Sequence, residues 1–91
     1  MDAAKLRERI THKLIDNIEE AMYPSVPMLD RVEAALATPE DVADYAETLV
    51  KKVEETQFPS TEMLNRLDRL VARLEELEQQ RERRRQLETA Q

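Results

Sequence analysis

Cysteine, glycine and tryptophan are absent from this 91-residue chain, and two tyrosines and one phenylalanine are its only aromatic rings. Without cysteine there is no disulfide framework, no thiolate metal site and no cysteine nucleophile. Small secreted domains are commonly stapled by disulfides, so the lack of any favours a reducing compartment, and a cytoplasmic location is expected. Without glycine there is no glycine-rich loop to cradle a phosphate, and helix interiors escape the residue that weakens them most after proline. No run approaches the roughly 18–20 apolar residues of a membrane span, so no membrane association is expected. The opening Met1-Asp2-Ala3-Ala4-Lys5-Leu6-Arg7-Glu8 lacks the apolar centre of a signal peptide.

Charge is plentiful but uneven. The net charge is −6. Between Leu14 and Glu55, eleven acids face only Arg31, Lys51 and Lys52. The first thirteen residues carry Lys5, Arg7, Arg9 and Lys13 against Asp2 and Glu8, and from Thr56 onward the charges balance. The middle should repel polyanions, whereas the two ends need not.

Apolar spacing predicts an all-α fold of four helices. Leu6, Ile10, Leu14, Ile18 and Ala21 or Met22 recur every three to four residues, with Ile15 widening the stripe, so a first helix is expected from about Ala3 to Met22. Pro24 pushes Tyr23 out of the helical region and marks the boundary. Ser25 caps a shorter helix bearing Met28, Leu29, Val32, Ala35 and Leu36. Thr38-Pro39-Glu40-Asp41 is a helix start: a capping hydroxyl, a proline suited to the first turn, and two acids at the positive helix end. That third helix is expected to reach about Thr56, with Val42, Ala46, Leu49, Val50 and Val53 as its stripe and Tyr45 flanking it. Pro59 breaks it, and Ser60 caps a long fourth helix with Met63, Leu64, Leu67, Leu70, Val71, Leu74 and Leu77 on one broad face. Beyond Leu77 a charged, Arg-rich end is expected to protrude and fray. Residues 1–78 thus form one helical bundle domain, as hairpins over about 3–36 and 39–78, and residues 79–91 a charged extension or tail. The expected core is Leu14, Ile18, Val32, Leu36, Leu49, Val53, Leu67, Leu70 and Leu74.

An internal repeat organises these elements. Leu14-Ile15-Asp16-Asn17-Ile18-Glu19-Glu20 aligns with Leu49-Val50-Lys51-Lys52-Val53-Glu54-Glu55. Tyr23-Pro24-Ser25 aligns with Phe58-Pro59-Ser60, and Met28-Leu29-Asp30-Arg31-Val32 with Met63-Leu64-Asn65-Arg66-Leu67, all at an offset of 35. The expectation is two duplicated αα-hairpins, with Tyr23 and Phe58 packed as corner anchors. A period near 35 is similar to that of tetratricopeptide units, but the glycine and tryptophan of that signature are missing, and nothing is carried over from it.

Residues for catalysis are scarce. Ser25 and Ser60 are the only serines, and capping accounts for both. His12 can share a helix face with Asp16 and Glu19 or Glu20, a spacing that suits a metal, but also an ordinary solvated face. Leu6-Arg7-Glu8-Arg9-Ile10 is similar to the opening helix of the small helical chorismate mutases. The aspartates expected after that isoleucine are absent here, and no downstream constellation completes the likeness. No catalytic residue, metal or cofactor is therefore expected.

The expected function is a non-enzymatic helical interaction module: an adaptor, assembly factor or regulatory subunit. A ten-residue second helix cannot cover first and fourth helices about twice as long. A protein partner or a homodimer is therefore expected on Leu6, Ile10, Leu70, Leu74 and Leu77. The alternative is a nucleic-acid-linked role, either through Arg81, Arg83, Arg84 and Arg85 or through acidic mimicry by the middle. Those four arginines have no aromatic among them to stack a base, and they also suit an acidic protein partner.

Overall fold

The computed structural model describes residues 2–89, and among them all regular structure is helical. The elements are α1 (Ala3–Glu20), α2 (Val26–Ala35), α3 (Pro39–Glu55) and α4 (Thr61–Thr89).

Local chemistry explains each start. Asp2 accepts from the Ala4 amide at 3.0 Å and caps α1. Ser25 accepts from Met28 at 3.3 Å, and Thr38 from Asp41 at 3.1 Å, with proline in the first turn of both helices. Ser60 accepts from Met63 at 3.1 Å. Each cap satisfies an amide that the helix leaves without an internal partner. The first helix stops at Glu20, earlier than its apolar spacing suggested. Its C-cap Ala21 is already extended, and the chain bends at Met22 and Tyr23 before Pro24. Among the described residues no backbone φ is positive, so none of these turns requires glycine.

Close backbone approach joins α1 to α2, α1 to α3, and α3 to α4. The side-chain bridges give directions. His12 lies beside Asp41, and Lys52 beside Glu19 and Ala21, so α1 and α3 run the same way. Asp30 and Glu33 meet Arg66, and Leu36 meets Arg73, so α2 and α4 also run the same way. The result is two hairpins set side by side in parallel. Both corners lie at one end, and the start of α1 and the end of α4 lie at the other. The molecule measures 52 × 34 × 17 Å.

The core joins Ile15 and Ile18 of α1, Leu29, Val32 and Leu36, Val42, Tyr45, Ala46 and Leu49 of α3, and Leu70 of α4. Complete burial of a residue such as Leu29 or Leu49 contributes roughly 2 kcal/mol. Leu14, Met63, Leu67, Leu74 and Leu77 pack around that centre in part, and Val53 is only half-buried. The expected corner anchors do not pack: Tyr23 is 86% and Phe58 84% exposed. Hydrogen bonds close these corners instead. The serine caps hold the starts of α2 and α4, and the Lys52 ammonium donates to the Glu19 and Ala21 carbonyls, each at 2.6 Å.

Candidate interaction surface

The first half of α1 leaves the body uncovered. Every residue from Asp2 to Ile10 is exposed, including Leu6 at 38% and Ile10 at 52%. They stand one turn apart, with Lys5, Arg7, Arg9 and Lys13 around them. Beside them opens a groove of about 1020 Å³, walled by Ile10 and Arg7 of α1, Ala34 and Ala35 of α2, and Glu40 and Asp44 of α3. At its side His12 Nε2 lies 3.9 Å from the mostly buried Asp41 carboxylate. The carboxylates of Asp16, Glu19 and Glu20 do not gather around His12. Among the described residues no group of three or more His, Asp or Glu side chains is placed to hold a metal.

The expected surface does not hold together as one stripe. Leu70, expected both in the core and on the docking face, lies in the core at 4% exposed and is not available as surface. It faces α3 on the same side of α4 as Leu74 and Leu77, and these two are half-buried against the core. Leu6 and Ile10 are the residues of that set that solvent reaches freely.

The arginine run lies on continuous helix. Arg81 grips Glu40 at the start of α3 with two hydrogen bonds, 2.6 and 3.3 Å long. The hydrogen bond from Arg81 is the main reason the Glu40 carboxyl is lowered to about 2, and the same bond raises the Arg81 guanidinium. Arg83, Arg84 and Arg85 are exposed. Helix geometry persists to Thr89, so the segment expected to fray is regular as far as the structure describes it.

Two polar features escaped the sequence. Arg66 is 4% exposed yet charged. It donates to Asp30 at 3.0 Å, and also to Glu33 and Glu62. Burial works against its charge, and the three carboxylates overcome that effect and raise its pKa. Tyr45 sits beside it, wholly buried, and its hydroxyl donates to Glu33 at 2.8 Å. Burial first, then this carboxylate, pushes the phenol far above its usual range. The network ties α2, α3 and α4 together. The Glu62–Arg66 pair is legible as a helical i, i+4 spacing. Partners 33 and 36 residues away in the chain leave no such local signal. The second feature is Lys52, whose ammonium caps the end of α1 by donating to two of its carbonyls.

No helix among the described residues is long and apolar enough to cross a membrane. Compared with known protein families, curated proteins and solved structures, the chain matches none.

Proposed function

We propose that this chain is a non-enzymatic helical module that acts by docking an apolar helix face with a charged rim onto another protein. One observation carries the reading: Leu6 and Ile10 stay at the surface on a helix whose later turns supply Ile15 and Ile18 to the core. An apolar pair in register with a core stripe, rimmed by four cations, is the pattern of helical docking faces. Leu74 and Leu77 add half-buried apolar area at the same end of the molecule. The tagged chain should capture a stoichiometric protein from nuclease-treated lysate of its source. Leu6→Glu with Ile10→Glu should abolish the capture while leaving the helical circular dichroism unchanged. Capture that survives both substitutions rules out this face.

We also infer that the two hairpins are copies of one unit. Support comes from the shared corner chemistry. Ala21 and Thr56 both end their helices in extended geometry, and Ser25 and Ser60 both cap the following one.

A nucleic-acid role for the arginine run is the second reading. The exposure of Arg83 and Arg84 favours it, whereas Arg81 is engaged by Glu40. It requires binding to a labelled oligonucleotide that falls steeply with salt and is lost when these arginines become alanine.

A further inference from the structure

Applying the 35-residue offset to burial sets two halves of one interface against each other. On the first hairpin, Ile15, Leu29 and Leu36 are 3%, 1% and 5% exposed. Their equivalents on the second hairpin, Val50, Leu64 and Val71, are 39%, 43% and 45% exposed. The reverse holds for the other face. On the second hairpin Tyr45, Leu49 and Arg66 are buried. Their equivalents on the first, Ile10, Leu14 and Arg31, are exposed or half-exposed. Each hairpin therefore carries two apolar faces, and the contact between the hairpins uses only one face of each.

The open groove agrees with this pairing. A depression of about 300 Å³ between α1 and α2 is lined by Leu14, Asn17, Ile18, Met28, Arg31 and Val32, among others. Moved by 35, these become Leu49, Lys52, Val53, Met63, Arg66 and Leu67. Lys52 and Arg66 of that set reach across to the first hairpin, at Ala21, Asp30 and Glu33. The groove on the first hairpin thus corresponds to the part of the second hairpin on which the first one sits.

We propose that copies of this chain stack head to tail. The Val50–Leu64–Val71 face of one copy enters the Leu14–Met28–Arg31 groove of the next, with Ile10 one turn before Leu14 at its edge, repeating the packing between hairpins within the chain. The proposal rests on reading the hairpins as a repeat. Charge is complementary in the same register: Arg31 of one copy meets Asp68 of the other, as Arg66 meets Glu33 internally. Asn17 takes the place of Lys52, and its amide can donate to the carbonyls at the end of α3. The two faces differ, so the contact is heterologous and does not close on itself as a two-fold dimer would. Repeat stacks of this kind extend until a polar cap ends them. The long part of α4 lies along the first half of α3 and leaves Val50, Leu64 and Val71 at the surface. The substitutions at the contact, Ile for Tyr, Asn for Lys and Asp for Glu, make it weaker than its internal counterpart, so assembly should be reversible.

Light scattering over a concentration series tests this. The wild type should rise from the 10.7 kDa chain mass past twice that value. Leu64→Glu and Met28→Glu, both at exposed positions, should each remain monomeric and helical. Mixed in equal amounts, they should form a dimer and stop, because each retains the face the other lacks. Arg31→Asp and Asp68→Arg should each weaken stacking separately, and their mixture should restore it in alternating copies, because Asp68 meets Arg31 at one contact and the exchanged charges meet at the next. A wild type that is monomeric throughout overturns the proposal. So does either single-face variant dimerising alone, or a mixture that remains monomeric. If the chain is monomeric but still captures a protein through Leu6 and Ile10, self-stacking fails while the docking function stands.

Discussion

Arg66 and Tyr45 show how a small helical core accommodates polar groups. Removing one member of a buried charge network leaves the others desolvated and unpaired. Arg66→Ala should therefore cost about 3 kcal/mol, the lower end for a buried pair because Asp30 and Glu62 keep contact with water. Urea denaturation reads this directly. Tyr45 gives a pH signature. Its phenol is held protonated in the folded state well above its usual value. The stabilisation is complete below about pH 10, where the unfolded tyrosine ionises, and is lost as pH rises further toward the folded value. The melting temperature should fall above about pH 10, and Tyr45→Phe should flatten that fall at a cost of about 1 kcal/mol at neutral pH. Neither residue was legible as part of a network. Periodicity placed Tyr45 beside a stripe and Arg66 in a repeated motif, but what holds them is tertiary. Tyr23 and Phe58 failed in the opposite sense. Aromatic residues are strong candidates for burial, yet each stands in a bend just before a proline and a serine cap, and is left at the surface.

Helices were read well where their ends are written in local chemistry. The Thr38-Pro39-Glu40-Asp41 start and the Ser25 and Ser60 caps were visible because capping acts over three residues. The end of α1 was not, because its cap is a lysine 31 to 33 residues further on. Lys52→Ala should destabilise the molecule by about 1 kcal/mol, by removing the charge at the carbonyl end of α1. Lys52→Arg should recover part of that loss, measured again in urea. The last turns of α4 depend on a different contact. Glu40 is ionised down to about pH 2 when held by Arg81. Because its folded pKa is depressed from its ordinary value of 4.5, the contribution of this pair is present above that value and is lost as pH falls toward about 2. Amide protection factors near Arg81, corrected for the intrinsic pH dependence of exchange, should fall over that interval, and Glu40→Gln should abolish this loss.

At the scale of the whole chain, four helices and most of the interior followed from spacing alone. Val42 and Ala46, on the apolar stripe of the third helix but outside the expected core, are buried where the second hairpin meets the first. The surface was harder to place. Spacing assigned Leu70 and Leu74 to both the core and a docking face, and with α3 packed along α4 it is the core that holds Leu70, with Leu74 and Leu77 partly buried against it. Leu70→Ala should accordingly cost about 2–4 kcal/mol, while Leu6→Ser should change stability by less than about 0.5 kcal/mol, a contrast that thermal melts resolve. The flatness of the molecule, 52 Å long and 17 Å thick, has a consequence for how it moves through solvent. Twenty-nine residues of α4 span roughly 43 Å at the ordinary helical rise, so this helix lies close to the long axis. A plate of these proportions rotates faster about that axis than across it. Amide vectors in α4 point along it, and they will report a longer rotational correlation time than their neighbours in the linkers. Drag will also make the monomer elute ahead of a spherical protein of equal mass, so retention volume alone would mistake shape for assembly.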